Sequence, residues 1–416
     1  GSGITMNDGK GTMQLGKQGW ILHRIFGAED DLFLINYLAA DNTQPHKSTT
    51  NTMQPFMLGN AAQTKELLAS IALSGDAGEN QFFEDNAASF IERLFPALVR
   101  KRDMGKLSLD INTIGRYFSL DALHELTSDP DLEPLEQGYI KQYLKVLGFN
   151  FENPKKQDDS VTKMHGQFVS HFSKAIASLS IQYRGIYVVD QGEVNPNDII
   201  SNRRSMISLI PSLDKSGAEL ESLGKILLTS QKNALVKQLG ESIEGTEEET
   251  TGKTSMWHTL PYANGFDEWS FYAIKDIGML PAQTRGIKVC NIFGAQDYKG
   301  TERAGEIDAE STFANCRVKL FGALEEAGAT WQKIRDMMGE VLKVVNSGYR
   351  YIPGLLSGRY ISDRDKTEVT RRSPIEIHDL QRQVNGEFFL LFRSRLSPVK
   401  LFYPDFDGLL EKAAPG

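Results

Sequence analysis

The chain has 416 residues, 40% of them hydrophobic and 24% charged, which is enough to bury a large core and long enough for two or three domains. No stretch approaches the roughly 18 consecutive apolar residues of a membrane helix and no charged-then-apolar leader is present, so a soluble globular protein is expected, with any membrane attachment outside these residues. The net charge of −8 argues against a surface uniformly adapted to DNA, although a locally basic pore is compatible with it.

Gly1-Ser2 in place of an initiator Met reads as a cleavage scar, so the chain is expected to be a piece of something longer. Ile4-Thr5-Met6 running into Asn7-Asp8-Gly9-Lys10-Gly11 predicts a strand and a turn, and the apolar spacing of residues 13–26 predicts a helix. Residues 32–38 form the next expected strand. After Asn51-Thr52-Met53-Gln54-Pro55-Phe56, where Pro55 blocks ladder pairing, residues 62–73 read as a helix.

Strand signals then stop. Phe82, Phe83, Ala87, Phe90, Ile91, Leu94 and Leu98 mark one face of a long helix, residues 111–126 give two short ones, and residues 135–147 and 161–181 continue the pattern. A compact helical insertion is the simplest account. It is either a substrate- or DNA-facing module or a structural lid. Its apolar stripes read as core rather than as membrane-binding faces.

Alternation resumes with expected strands at 185–189 and 206–210, a helix at 218–239 and a polar loop at 240–253. Then come strand 260–266, helix 273–283, strand 287–293, helix 304–314, strand 316–321, and helices to residue 345. Residues 387–392 and 399–403, separated by a polar stretch, read as a hairpin on a sheet edge. The expected class is α/β: a mostly parallel sheet covered by helices on both faces, interrupted by the helical insertion. The expected divisions are residues 1–74 and 183–404 for the two parts of the nucleotide-binding domain, 75–182 for the all-alpha domain, and 405–416 for a tail.

Asp267-Glu268 carries the most chemistry. An acidic pair at the carboxyl end of a strand serves Mg²⁺ with its Asp and polarises an attacking water with its Glu in RecA-type nucleotidases. The alternative is a solvated acidic turn, and the polar run Tyr262-Ala263-Asn264-Gly265 before it departs from the apolar strand expected there. Arg285, between a helix and a strand, is placed to reach a neighbouring subunit's γ-phosphate, or to complement a helix dipole. Gln296, just past the following strand, is a γ-phosphate sensor or a turn residue.

No phosphate loop is found. Gly252-Lys253-Thr254 fails because the required first Gly falls at Glu247, within an acidic run that repels phosphate, and Asp8-Gly9-Lys10-Gly11 lacks the spacing and reads as a strand-terminal turn. The seven His are scattered, with no pair at metal-ligand spacing. Cys290 and Cys316 sit in apolar runs and are expected to be small buried core residues in a reducing cytoplasm.

Taken in order, Asp8-Gly9-Lys10-Gly11, the run from Asn51 to Phe56, Phe82-Phe83-Glu84-Asp85-Asn86-Ala87-Ala88, Asp267-Glu268, the run from Ala282 to Gly286 and Gly294-Ala295-Gln296-Asp297 resemble the type IV secretion coupling ATPases of the TraG/TraD group, in particular the DotL/IcmO and TrbC branch. Met164-His165-Gly166, Gly192-Glu193-Val194, Asn202-Arg203-Arg204 and the run from Pro211 to Ser216 extend the resemblance over nearly the whole chain.

The resemblance implies a hexameric motor at the cytoplasmic face of the bacterial inner membrane that binds ATP and Mg²⁺, with a RecA-like nucleotide-binding domain and an inserted all-alpha domain. It implies partners among secretion-channel components, effector proteins or adaptors, and relaxase-bound DNA. Carried over, Asp267 is the Mg²⁺-associated residue, Glu268 the catalytic Glu, Arg285 the trans-acting Arg and Gln296 the sensor. The family's phosphate-loop Lys and Ser/Thr have no counterpart here, and the loop is expected upstream of Asp8, so this chain alone is expected to be inactive. Two other classes remain open: a non-hydrolysing receptor platform for adaptors and effectors, and a hexameric DNA translocase outside secretion.

Overall fold

The computed structural model describes residues 2–39, 50–73, 81–237, 246, 258–274, 276–346, 349–352, 359–362 and 367–413. Most of the 240–253 loop and Gly252-Lys253-Thr254 lie outside the described residues.

Five strands, β1 (Ile4–Asp8), β2 (Leu32–Asn36), β3 (Ser205–Leu209), β4 (Tyr262–Asp267) and β5 (Val289–Phe293), form a sheet in the order β2-β3-β1-β4-β5. Every neighbouring pair is parallel. The chain moves from β1 out to β2, returns to fill the gap with β3, and then crosses to the other side of β1 for β4 and β5. The winding therefore reverses at β1. In open α/β sheets such a reversal opens a crevice outside the carboxyl ends of the strands.

Helix α1 (Met13–Phe26) has the span its apolar spacing predicts. It stops because Gly27 takes the left-handed conformation, φ 61°, while Ala28 N–H donates back to His23 O at 2.9 Å. Helix α2 (Ala61–Ala72) opens on a reciprocal cap between Asn60 and Gln63.

The helical unit follows as α3 (Gln81–Asp103), α4 (Ile111–Arg116), α5 (Leu120–Leu126), α6 (Pro134–Leu147) and α7 (Asp159–Ala177). Phe90, Ile91, Leu94 and Leu98 of α3 meet Leu144 of α6 and Phe172 of α7 in a buried cluster continuous with Ile35 and Phe266 of the sheet. Packing thus joins the insertion to the sheet's own core.

His165 is locked inside this unit. Its Nε2–H donates to Phe118 O at 2.7 Å, which leaves Nδ1 to accept from the Tyr143 hydroxyl, also at 2.7 Å. Burial holds the imidazole below the usual histidine range. The folded state therefore favours neutral His165, so its contribution is complete above the unfolded value near 6.5 and is lost as pH falls through the lower folded value. The urea midpoint of the chain should drop on acidification below about pH 6.5. A His165→Gln chain should show a flatter profile, and parallel profiles would contradict the assignment.

After the insertion come α8 (Arg184–Tyr187), α9 (Pro196–Ser201) and α10 (Gly217–Lys237). The strand expected at 185–189 is absent; α8 stands there because Tyr183, Ile186 and Tyr187, spaced as on a helix, are all buried. The helix expected at 273–283 is also broken. Asp276 adopts φ 66°, and the Asp308 carboxylate accepts from Asp276 N–H at 3.0 Å and Gly278 N–H at 3.1 Å, leaving only a short helix, Leu280–Thr284.

The rest of the chain builds smaller sheets. Strand β6 (Val318–Phe321) does not join the parallel sheet as the alternation suggested. Gly339, at φ 68°, ends helix Ala329–Met338, and a β-branched run gives β7 (Val341–Asn346) where helix was expected. β8 (Tyr349–Ile352) pairs with β9 (Arg359–Ser362), and β10 (Thr367–Arg372) pairs with β7.

The expected hairpin exists but is tighter. β11 (Glu387–Phe392) and β12 (Arg395–Lys400) are joined by Arg393 and Ser394, with φ 48° and 61°, a two-residue turn that matches strand twist. This hairpin packs on β6 and not on the main sheet. Phe321, Trp331, Ile334, Ile375 and Leu380 form its separate small core. The two cysteines are not core residues: Cys290 is exposed on the edge strand β5 and Cys316 is half-buried after helix Glu306–Asn315. No helix among the described residues is long and apolar enough to cross a membrane.

Candidate functional site

The polar strand β4 is explained by what surrounds it. The Tyr262 hydroxyl pairs with Thr5 Oγ1 at 2.7 Å, Asn264 donates to Asn291 Oδ1 at 3.1 Å, and Gly265 lies where a side chain would collide with Met6. The hydroxyl of Tyr262 and the amide nitrogen of Asn264 are thus partnered inside the sheet, and the small Gly265 lets the strand lie close to its neighbour, although Asn264 Oδ1 has no hydrogen-bond partner among the described residues. It delivers Asp267 beside Asp8, its register partner at the end of β1.

The two strand ends are tied together. Gly9 N–H donates to Asp267 O at 3.0 Å, and the Tyr272 hydroxyl reaches both Asn7 O at 2.9 Å and Asp267 O at 3.0 Å. Behind them Asn7 and Gln231 exchange amide hydrogen bonds of 3.3 and 3.1 Å. Trp269 N–H donates to Gly294 O at 3.2 Å and Gly294 N–H to Phe266 O at 2.8 Å, which fixes the chain after β5 against the end of β4.

Glu268 leaves the strand in the left-handed conformation, φ 50°, an uncommon state for a non-glycine residue. This turns its side chain inward, where it is 5% exposed. Oε1 accepts from Gln296 Nε2 at 2.6 Å and lies 3.3 Å from Lys10 Nζ. Oε2 is buried with no hydrogen-bond partner among the described residues. Burial, then the charges of Asp8 and Glu268, push the Asp267 carboxyl above its ordinary range, and Lys10 partly offsets them.

An excess of carboxylate at two adjacent strand ends, with one oxygen orphaned, fits a site for a cation and a polar reactant. Among the described residues no three His, Cys, Asp or Glu side chains converge as a metal cage. A Mg²⁺ ion here would take Asp267 as a protein ligand and draw other oxygens from a bound phosphate, as Mg²⁺ sites commonly do.

The structure thus brings Asp267, Glu268 and Gln296 together. Arg285 stands apart: it is exposed in the turn Arg285–Ile287 that enters β5, at the opposite end of the parallel sheet. Sequence reasoning missed Asp8 and Lys10 as site residues. Asp8 accepts from Lys10 N–H at 2.8 Å and Thr12 N–H at 3.3 Å, holding the turn that leads into α1. The signal available in sequence was that an Asp stands just past each of two predicted strands.

A parallel sheet wound in both directions from β1 with an inserted helical unit is a RecA-like α/β fold. Over nearly its whole length the sequence is similar to a type IV coupling protein. It is 30% identical over 421 residues to the type 4 coupling protein DotL of Legionella pneumophila subsp. pneumophila, a match that covers 97% of this chain and 54% of the relative. The chain therefore spans about half the length of that curated relative.

Its fold is that of the bacterial conjugative coupling protein TrwB. The unbound form superposes with a TM-score of 0.55 at 11% identity, covering 96% of this chain and 78% of TrwB. TrwB in complex with ADP and Mg²⁺ gives 0.54 at 12% identity, covering 98% and 79%. No family model matches the chain.

Proposed function

We propose that this chain is the cytoplasmic portion of a coupling ATPase that recruits effector proteins or relaxase-bound DNA and drives their transfer to a secretion channel. The observation that carries the reading is the held Glu268 carboxylate: one oxygen fixed by Gln296 and Lys10, the other buried and unpartnered beside Asp267. A carboxylate so oriented accepts a proton from an attacking water. Asp267 would hold Mg²⁺, which supplies charge neutralisation on the phosphates. Gln296, through its bond to Glu268, would link nucleotide state to the base.

Arg285 lies too far along the sheet to act on its own subunit's Glu268, so its proposed role is in trans, at the interface of a hexamer. The sequence contains no G-x-x-x-x-G-K-[ST] run, which supports a phosphate-binding loop supplied from outside these residues. Membrane attachment and the binding of adaptors and channel components are likewise assigned to the longer protein, with residues 75–182 as the all-alpha module.

The test is ATP turnover by a longer version of the protein extended upstream, by its Glu268→Gln variant, and by these 416 residues. Turnover should be confined to the extended wild type, with Glu268→Gln lower by about a hundredfold or more. Equal turnover in the variant would remove Glu268 from the chemistry. No turnover in any assembled form would favour the receptor platform.

A further inference from the structure

Lys10 belongs to the turn that sequence reasoning set aside. The backbone around it is fixed on three sides: Gly9 N–H on Asp267 O at 3.0 Å, Lys10 N–H on Asp8 Oδ1 at 2.8 Å and Thr12 N–H on Asp8 Oδ2 at 3.3 Å. The turn also lies against Glu268 itself, since a Cβ on Gly9 would fall 2.8 Å from Glu268 O. The Lys10 stem therefore starts beside the carboxylate it pairs with.

Its ammonium and the Gln296 amide approach the same oxygen, Oε1, from opposite strands' ends: Lys10 follows β1 and Gln296 follows β5, on either side of β4. Two donors arriving from different elements fix both the position and the rotation of a carboxylate. One donor alone leaves it free to turn about its last torsion, which is broad for Glu. The consequence falls on Oε2, the oxygen without a partner.

We propose that Lys10 is a positioning residue for the hydrolysis: with Gln296 it clamps Oε1 of Glu268 and so fixes the orientation of the whole carboxylate beside Asp267. This rests on the ATPase reading above. The Lys10 side chain is 57% exposed but that of Glu268 only 6%, so losing Lys10 also strips a buried carboxylate of its counter-charge, and an unfolding curve of each variant accompanies the kinetics. The clamp acts on geometry, and misorientation of a base is felt in the rate of the chemical step and not in binding.

The test uses the extended protein, with Lys10→Met and Lys10→Arg compared with wild type and Glu268→Gln. Lys10→Met should lower kcat by about tenfold or more while leaving KM for ATP within about twofold, and Lys10→Arg should recover most of kcat. A crystal structure of the Lys10→Met chain should show Glu268 rotated off Gln296. A Lys10→Met kcat within about twofold of wild type, or a raised KM with kcat unchanged, overturns the positioning role. Failure of the wider reading looks different: the extended wild type itself would be inactive, or Glu268→Gln as fast as wild type, and either result takes the clamp with it.

Discussion

Replacing Tyr272 by alanine should destabilise the chain by about 3–5 kcal/mol, and replacing it by phenylalanine by about 1–2 kcal/mol. The ring is fully buried, and α10 packs so closely on the residue that a Cβ on Gly224 would fall 2.3 Å from Tyr272 O. The alanine variant removes that volume from a region too tight to collapse. The phenylalanine variant removes only the hydroxyl that spans Asn7 O and Asp267 O at the ends of β1 and β4. Burial and the nearby carboxylates hold the phenol well above its ordinary range, so it remains a donor at any working pH. Urea unfolding of the three proteins separates the two contributions. A phenylalanine variant as stable as wild type would show that the bridge contributes nothing.

Gly9→Ala should impair turnover of the extended protein by about tenfold or more while destabilising the chain by about 1–3 kcal/mol. The new methyl would lie 2.8 Å from Glu268 O and 2.9 Å from Glu268 Cβ. Neither atom is the far end of a flexible side chain, so the backbone of Glu268 has to move. Movement there shifts the carboxylate relative to Gln296 and Lys10, which are held by other elements. The measurement is kcat beside an unfolding curve. Full activity in a folded Gly9→Ala protein would show that the site tolerates displacement of Glu268.

The elements that sequence made legible are those whose limits are local. Helix α1 is bounded by a glycine that takes the left-handed conformation, and α3 carries an unbroken apolar face. What was not legible depended on distant partners. The helix expected at 273–283 is dismantled by the carboxylate of Asp308, and β6 is drawn into another sheet by β11. The site divides in the same way. Asp267, Glu268 and Gln296 could be named because their positions relative to strand ends are read locally. Lys10 could not, because its meaning comes from the register of β1 against β4, set by residues more than 250 positions apart. The exposure of Cys290 follows from β5 lying at the edge of the sheet, a matter of strand order.

Glu268 combines a left-handed backbone, a buried carboxylate beside Asp267, and an oxygen with no hydrogen-bond partner among the described residues. Each of these opposes folding, the backbone alone by about 1 kcal/mol or more. Selection for a robust fold would discard such a residue: glycine would relax the backbone and glutamine would remove the charge. Under the proposed ATPase reading, Glu268 is a point where durability and performance pull in opposite directions, so that a search for sturdier variants of this protein would meet its most tempting substitutions at the proposed base.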